Sequence, residues 1–199
     1  AEAATADVEE VLARGYSAVG NTLERTNRLP QAREAWRKAS ALWRRLAEGH
    51  PTEPRYRLEL GKSYSDLGVQ LRMQGDELEE AVTVQEKGLA ILETLVSDHP
   101  TVAEYLYELA LAYDGLGWAK TEMLWRPMEA RAAYENSLAL FSNLAKTYPA
   151  VNDYQSKQAE DYDSFASLLE YSGKWAESLD AQRKGLAVSR KLVEEGRAW

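Results

Sequence analysis

Apolar and small residues recur along this chain at spacings of three and four, which is the period of one face of an α-helix. Within residues 55–74 the stripe consists of Leu60, Tyr64, Leu67, Gly68 and Leu71. The strict alternation that predicts β-strands is absent. The pattern predicts eight helices, over residues 7–27, 30–48, 52–74, 77–97, 101–124, 127–147, 151–172 and 175–195.

The helical stripes belong to a longer repeat of 48–49 residues. Residues 50–68 are HPTEPRYRLELGKSYSDLG, and residues 99–117, offset by 49, are HPTVAEYLYELALAYDGLG. A third copy occupies residues 148–166, and a fourth aligns near the N-terminus after a shift of one residue. A unit of two helices, A and then B, cannot bury both faces alone, so the units are expected to stack. The sequence predicts a single repeat domain over residues 1–199, with units at 7–54, 55–103, 104–152 and 153–199.

Residues at fixed positions in these units resemble the tetratricopeptide repeat (TPR) family. An aromatic residue and Leu-Gly lie in helix A, small residues lie in helix B, and a proline follows. In the second and third units these residues are Tyr64, Leu67, Gly68, Ala81, Gly88 and Pro100, and Tyr113, Leu116, Gly117, Ala130, Tyr134 and Pro149. The resemblance implies an all-α fold, a right-handed α-solenoid of four helix-turn-helix repeats. It also implies a concave groove, lined by the A helices, that binds proteins or peptides.

The repeat length departs from that of the family. TPR units have about 34 residues, and the extra residues here add about two turns to each helix. This long form is similar to repeats that follow serine/threonine protein-kinase domains in certain bacteria. The resemblance implies a non-catalytic scaffold or adaptor, or alternatively a regulatory or scaffolding segment of a larger signalling enzyme such as a bacterial kinase. Because the chain begins with Ala, we expect it to be processed or excised from a longer protein.

The composition narrows the classes of partner. The net charge is −8, whereas binding to nucleic-acid backbones needs concentrated Lys and Arg. We therefore expect no nucleic-acid partner and, for the same reason, no binding to an anionic membrane. No stretch approaches the ~20 apolar residues of a transmembrane helix. The absence of cysteine excludes disulfides and thiolate chemistry, and it suits a reducing compartment, which we take to be the cytoplasm.

Candidate catalytic or metal-ligating residues are few. His50 and His99 each precede a proline and lie one unit apart, so we interpret them as helix C-terminal residues rather than as a metal pair. The EDYD run at residues 160–163 lacks the glycine turn and closing Glu of a calcium loop, and we interpret it as a solvated or groove-facing acidic patch. No phosphate loop or nucleophile elbow is present. We expect no enzyme activity, metal or cofactor.

Ten residues are expected to line the groove, because the resemblance places them on the inner side of the A helices. They are Arg14, Ser17, Asn21, Lys62, Ser65, Arg72, Asp114, Trp118, Asp163 and Glu170. The basic members fall in the first two units and the acidic members in the last two. This distribution either orients a dipolar peptide, with its acidic end toward the N-terminal units, or reflects random scatter of surface charge. Trp118 is either a peptide anchor or a packing residue.

The two ends of the repeat suggest self-association through the terminal helices. A solenoid needs polar caps, yet the last helix carries the apolar residues Trp175, Leu179, Leu186, Val188 and Leu192. If the outer face of that helix is apolar, stacking between chains follows.

Overall fold

The computed structural model describes residues 2–74, 78–122 and 126–195, and these residues form eight α-helices and no strand. The helices are α1 (Glu2–Arg25), α2 (Leu29–Gly49), α3 (Pro54–Gln74), α4 (Leu78–Asp98), α5 (Ala103–Glu122), α6 (Pro127–Thr147), α7 (Asn152–Tyr171) and α8 (Trp175–Glu194). Odd-numbered helices are A helices and even-numbered helices are B helices. The all-α, helical-repeat fold class is confirmed. Over the described ranges, no helix is long and apolar enough to cross a bilayer.

The predicted helix boundaries agree with the structure to within two residues, except at the start of α1. That helix begins at Glu2, five residues before the predicted start. Ala6 explains the difference, because it is buried in a cluster with Leu46 and Tyr56, so the packed stripe extends further toward the N-terminus. The last two residues of the predicted helix 101–124 lie outside the described residues.

In the first and last repeats, helices A and B are joined by a turn that contains a residue in the left-handed region. Asn27 has φ +56° after α1, and Gly173 has φ +72° after α7, at the equivalent repeat position. The next backbone N–H group closes each helix. That of Arg28 donates to the Leu23 carbonyl and that of Lys174 donates to the Leu169 carbonyl, each at 2.8 Å. This is the Schellman arrangement, which satisfies the last carbonyls of a helix.

The B helices end in a second recurring turn. A backbone N–H just beyond each helix donates to the carbonyl four residues earlier, at 2.8–3.0 Å. The donors are His50, His99 and Tyr148. A proline follows each donor directly and cannot continue the helix. Repetition of one turn chemistry explains why the repeat keeps its length.

The chain divides into two compact units, each of which holds four helices, that is, two of the repeats. The first unit is Ala1–His99 and the second unit is Pro100–Trp199. In the first unit α1 packs on α2, α2 on α3, and α3 on α4. One apolar cluster joins α1, α2 and α3 and contains Ala6, Ala13, Leu42, Trp43, Leu46, Tyr56 and Leu60. A second cluster joins α2, α3 and α4 and contains Ala32, Trp36, Leu67, Leu71, Ala81 and Val84. The B helix α2 is therefore packed between the A helices α1 and α3.

In the second unit α5 packs on α6, α6 on α7, and α7 on α8, and α5 also meets α7. Aromatic side chains mark the α6–α7 junction, where the rings of Tyr134 and Phe165 lie 6.1 Å apart. Around them lie the buried residues Ala130, Leu168, Ala166, Leu169 and Ala181. The predicted arrangement of helix pairs is thus present within each unit, while the single 199-residue domain stays a prediction.

Gly88 marks a close approach of α4 to α3. A Cβ atom at this position would lie 2.8 Å from the carbonyl oxygen of Gly61 and 3.1 Å from the Cβ of Tyr64. Both atoms are fixed to the α3 backbone and cannot turn away. The contact between the two helices therefore depends on the missing side chain.

Candidate functional site

In the first unit, the predicted binding residues lie on the two A helices. Arg14, Ser17 and Asn21 are on α1, and Lys62, Ser65 and Arg72 are on α3. The Arg14 guanidinium lies 3.0 Å from the Glu10 carboxylate and 5.9 Å from the ring centroid of Trp43. The same carboxylate lies 3.6 Å from Arg55 of α3. Glu10 therefore links α1 to α3 and holds Arg14 along the surface.

Two of these residues also fix local structure. The Asn21 Oδ1 accepts a hydrogen bond of 3.1 Å from Nε1 of Trp36, which orients that buried indole. The Ser65 hydroxyl donates to the Gly61 carbonyl at 3.1 Å, within α3. Three further members are half-buried, namely Ser17, Lys62 and Arg72. The predicted site residues of the first unit thus include three cations, of which Arg14 is exposed and Lys62 and Arg72 are half-buried.

In the second unit, α5 and α7 present an indole and carboxylates. Trp118 is 38% exposed, and Asp114, one turn earlier on α5, is half-buried. Asp163 of α7 is exposed and, with Glu160, lines a pocket of about 180 Å³ between α7 and α8. The predicted site residues of this unit are thus one tryptophan and three carboxylates, Asp114, Asp163 and Glu170.

Glu170 lies on α7, and its carboxylate is hydrogen-bonded by the following B helix, α8. Its Oε1 accepts hydrogen bonds from the Ser178 hydroxyl at 3.0 Å and from Nε2 of Gln182 at 2.8 Å. Both donors belong to α8. The carboxylate therefore stabilises the α7–α8 pair, and a ligand would have to compete with these two donors.

Contacts between α5 and α7 keep the acidic side ordered. The rings of Tyr107 and Tyr154 lie 5.5 Å apart. Burial, assisted by a hydrogen bond with Asp153, raises the pKa of Tyr107. Lys157 lies 2.7 Å from Glu160, and this hydrogen bond raises the pKa of the lysine. Lys157 therefore stays charged and offsets part of the negative charge on this side.

The sequence interpretation of the EDYD run is wrong for Asp161, which is 1% exposed. Its carboxyl group lies beside Asp114 and Ser137. The Ser137 hydroxyl donates to the Ala110 carbonyl at 2.9 Å, so its proton is not available to Asp161. Burial first, and then the charge of Asp114, raises the pKa of Asp161 to about 9. Asp161 is therefore a neutral carboxylic acid at pH 7.

Lys120 is a second polar residue whose burial the helical pattern did not predict. Its Nζ lies 2.7 Å from Oε2 of Glu129, an ion pair between α5 and α6. The hydrogen bond from this lysine lowers the pKa of Glu129. The repeat alignment contained the signal, because Lys120 occupies the position of the buried leucines Leu71 and Leu169.

Metal ligands do not converge in the part of the chain that the structure describes. No group of three or more His, Asp or Glu side chains there is placed to hold an ion. His50 is the C-cap residue of α2, and its ring lies 5.5 Å from the ring of Tyr56. The predicted site residues are thus charged side chains, several of them held by ion pairs or hydrogen bonds, and one tryptophan that is 38% exposed on α5.

Comparisons with known proteins find distant similarity to solved structures. No family model matches the chain, and no curated protein does. Among solved structures, TTC0263 of Thermus thermophilus is 16% identical with a TM-score of 0.45, covering 92% of this chain and 94% of that one. The structural neighbours include a TPR protein. The MamA protein is 19% identical with a TM-score of 0.30, covering 94% and 97%. MamA of Desulfovibrio magneticus RS-1 is 16% identical with a TM-score of 0.32, covering 90% and 96%.

Proposed function

We propose that this chain is a non-catalytic scaffold that binds protein segments on the A-helix side of its units. The observation that carries the proposal is Trp118, a large aromatic side chain of α5 that is 38% exposed. Aromatic side chains of this kind dominate the binding energy of protein interfaces. Asp114, one turn away, supplies a carboxylate that can pair with a basic group of the ligand.

Charge gives each unit its own preference. The first unit favours acidic segments through Arg14, Lys62 and Arg72. The second unit favours segments that combine an apolar side chain with a basic one. Charge complementarity of this kind mainly sets specificity and the rate of association. The link to a bacterial kinase, or to another signalling enzyme, stays a prediction from the resemblance, as does a cytoplasmic location.

Replacing Trp118 with alanine is expected to weaken binding to the second unit. Peptides would first be selected from a random library on the immobilised chain, and their affinities measured by fluorescence anisotropy. We expect Trp118→Ala to lower the affinity of peptides with basic and apolar residues by about tenfold or more. Met128→Ala removes an exposed apolar side chain from the B helix α6 and is the control. Equal affinities for Trp118→Ala and the parent chain would place the site away from α5.

Reversing two charges on α3 is expected to abolish binding of acidic peptides. In the double variant Lys62→Glu, Arg72→Glu, two of the four cations of α3 become anions, and the peptide carboxylates lose these two partners. The control Arg44→Glu, Lys87→Glu makes the same change in net charge on exposed B-helix positions of the first unit. The proposal requires a loss in the A-helix variant alone. A similar loss in both variants would show only the effect of net charge.

A further inference from the structure

The first helix leaves an apolar face uncovered. Four of its large apolar side chains are between 47% and 70% exposed, and two exposed small residues lie between them. The α1 face consists of Val8, Val11, Leu12, Gly15, Ala18 and Val19. Their spacings of three and four place them along one side of the helix. The opposite side of α1 packs in the core through Ala13.

The last helix has a similar uncovered face. Four large apolar side chains on α8 are between 47% and 68% exposed. The α8 face consists of Trp175, Leu179, Leu186 and Val193, at spacings of four and seven. Buried residues on α8, such as Ala181 and Leu192, lie toward α7 and are distinct from this face. Single exposed apolar residues are ordinary, but a continuous stripe indicates a contact surface.

In α3, the side of the helix that is equivalent to the α1 face is covered by a B helix. Val8, Gly15 and Val19 occupy the positions of Tyr56, Ser63 and Leu67 in α3. Each of those three meets the preceding B helix, α2: Tyr56 lies 6.5 Å from the Trp43 ring, the Ser63 hydroxyl lies 2.8 Å from that of Ser40, and Leu67 packs with Trp36. The α1 face is therefore the side of an A helix that a B helix covers.

The α8 face is the complementary side of a B helix. Leu186 occupies the position of Ser40 in α2, whose hydroxyl meets α3. Leu179 occupies the position of Arg131 in α6, whose guanidinium lies 5.7 Å from the ring centroid of Phe165 in α7. In both earlier junctions this side of the B helix contacts the next A helix. In α8 the same side is apolar and exposed.

The direction of packing brings opposite charges together. In the α2–α3 junction the contacts run antiparallel, since Trp43 meets the start of α3 and Trp36 meets its second half. The same docking places the second half of α8 against the first half of α1. Within residues 183–193 of α8, Lys184 and Lys191 pair with Asp180 and Glu195 of the same chain, which leaves Arg183 and Arg190. In the first half of α1, Glu9 pairs with Arg45 and Glu10 with Arg14 and Arg55, so Asp7 is the acid that these arginines can meet.

Side-chain sizes also match. The equivalent pairing sets Leu186 against Gly15, where the α2–α3 junction has Ser40 against Ser63. A Cβ atom at Gly15 would meet nothing within 4 Å, so the space beside it is open to a larger partner. A large residue opposite a glycine fills the interface as well as two residues of intermediate size.

We propose that a second copy of this chain covers each of these faces, α8 of one copy docking on α1 of the next. The interface is heterologous, because the two surfaces in contact are different, so each added copy leaves one α1 face and one α8 face for further association. The proposal is independent of peptide binding on the A-helix side, because Trp118, Lys62 and Arg72 belong to neither face.

Complementation between two variants tests this arrangement. Leu12→Asp damages only the α1 face, and Leu186→Asp damages only the α8 face. By sedimentation velocity over a wide concentration range, the parent chain is expected to associate, and each variant alone is expected to dissociate at least about tenfold more readily. An equimolar mixture should form a dimer that does not grow, because one intact α8 face meets one intact α1 face.

Controls separate this outcome from others. Val11→Asp and Val193→Asp repeat the two changes at exposed positions, and circular dichroism checks that each variant stays folded. Met128→Asp introduces the same charge at an exposed apolar residue on α6 and should leave association unchanged. A monomeric parent chain overturns the proposal and assigns the faces to another occupant. An effect of only one of the two variants, with no complementation, overturns it in favour of a symmetric pairing of like helices.

Discussion

Placing a methyl group on Gly88 is expected to destabilise the first unit by about 2 kcal/mol. In the Gly88→Ala variant the new Cβ lies 2.8 Å from the Gly61 carbonyl oxygen, inside the range that real Cβ contacts avoid. The α3 backbone must move, and packing along the whole α3–α4 contact loosens. This loss exceeds the gain of about 1 kcal/mol that alanine brings to a helix interior. Urea unfolding followed by circular dichroism measures the difference.

Gly49→Ala is the matched control for this experiment. Gly49 is also helical, in α2, but a Cβ atom there would meet nothing within 4 Å. The control is expected to be neutral or slightly stabilising, because only helix propensity changes. Gly88→Val should destabilise more than Gly88→Ala, since two further methyl groups enter the same space. A Gly88→Ala variant as stable as the control would contradict the close approach of α3 and α4.

Asp161→Asn is expected to stabilise the second unit by about 1–3 kcal/mol at neutral pH. In the folded chain the pKa of Asp161 is raised from 3.8 to about 9, so the folded state holds a proton that the unfolded chain releases near pH 4. Stability from this group is full below pH 4 and is lost progressively as the pH rises toward 9. Asparagine carries no titrating proton, and its amide can donate to Asp114.

The pH dependence distinguishes this effect from a general change in charge. The stability difference between Asp161→Asn and the parent chain should be small at pH 4 and grow as the pH rises toward 9. Asp163→Asn removes the same formal charge two residues away, at an exposed position, and is expected to change stability little at any pH. Parallel pH profiles for the two variants would show that Asp161 is ionised in the folded chain.

The helices follow from the sequence because their apolar stripes are long and regular. Spacings of three and four residues mark the packed side of each helix. The alignment of Tyr64 with Tyr113 and Tyr162 indicates that the A helices of three repeats pack through the same side. The start of α1 differs because residues 2–6 contain mostly alanine, whose pattern shows no contrast between a packed and an exposed side. The helix includes these residues because Ala6 packs into the core cluster with Leu46 and Tyr56.

The candidate site was less predictable, because the helical period alone treats charged residues as exposed. Asp161 and Lys120 break this rule, and both occupy repeat positions where other units bury a small or apolar residue. Glu170 shows the reverse case, where the position is as predicted but the carboxylate is bound by donors from α8. For Trp118 the pattern left anchor and packing residue equally open; the side chain is 38% exposed, and its role as an anchor stays a prediction.

The hydrogen bond between Ser40 and Ser63 has a consequence for folding fidelity. Repeats with nearly the same sequence are prone to wrong pairing during folding, because an A helix meets several similar B helices. At the junction position of Ser63, the later A helices carry Ala112 and Asp161 instead. Ala112 cannot form this hydrogen bond, so a misplaced α5 would lose the contact between the two side chains. This polar contact is therefore expected to favour the pairing of α2 with α3 over its pairing with α5.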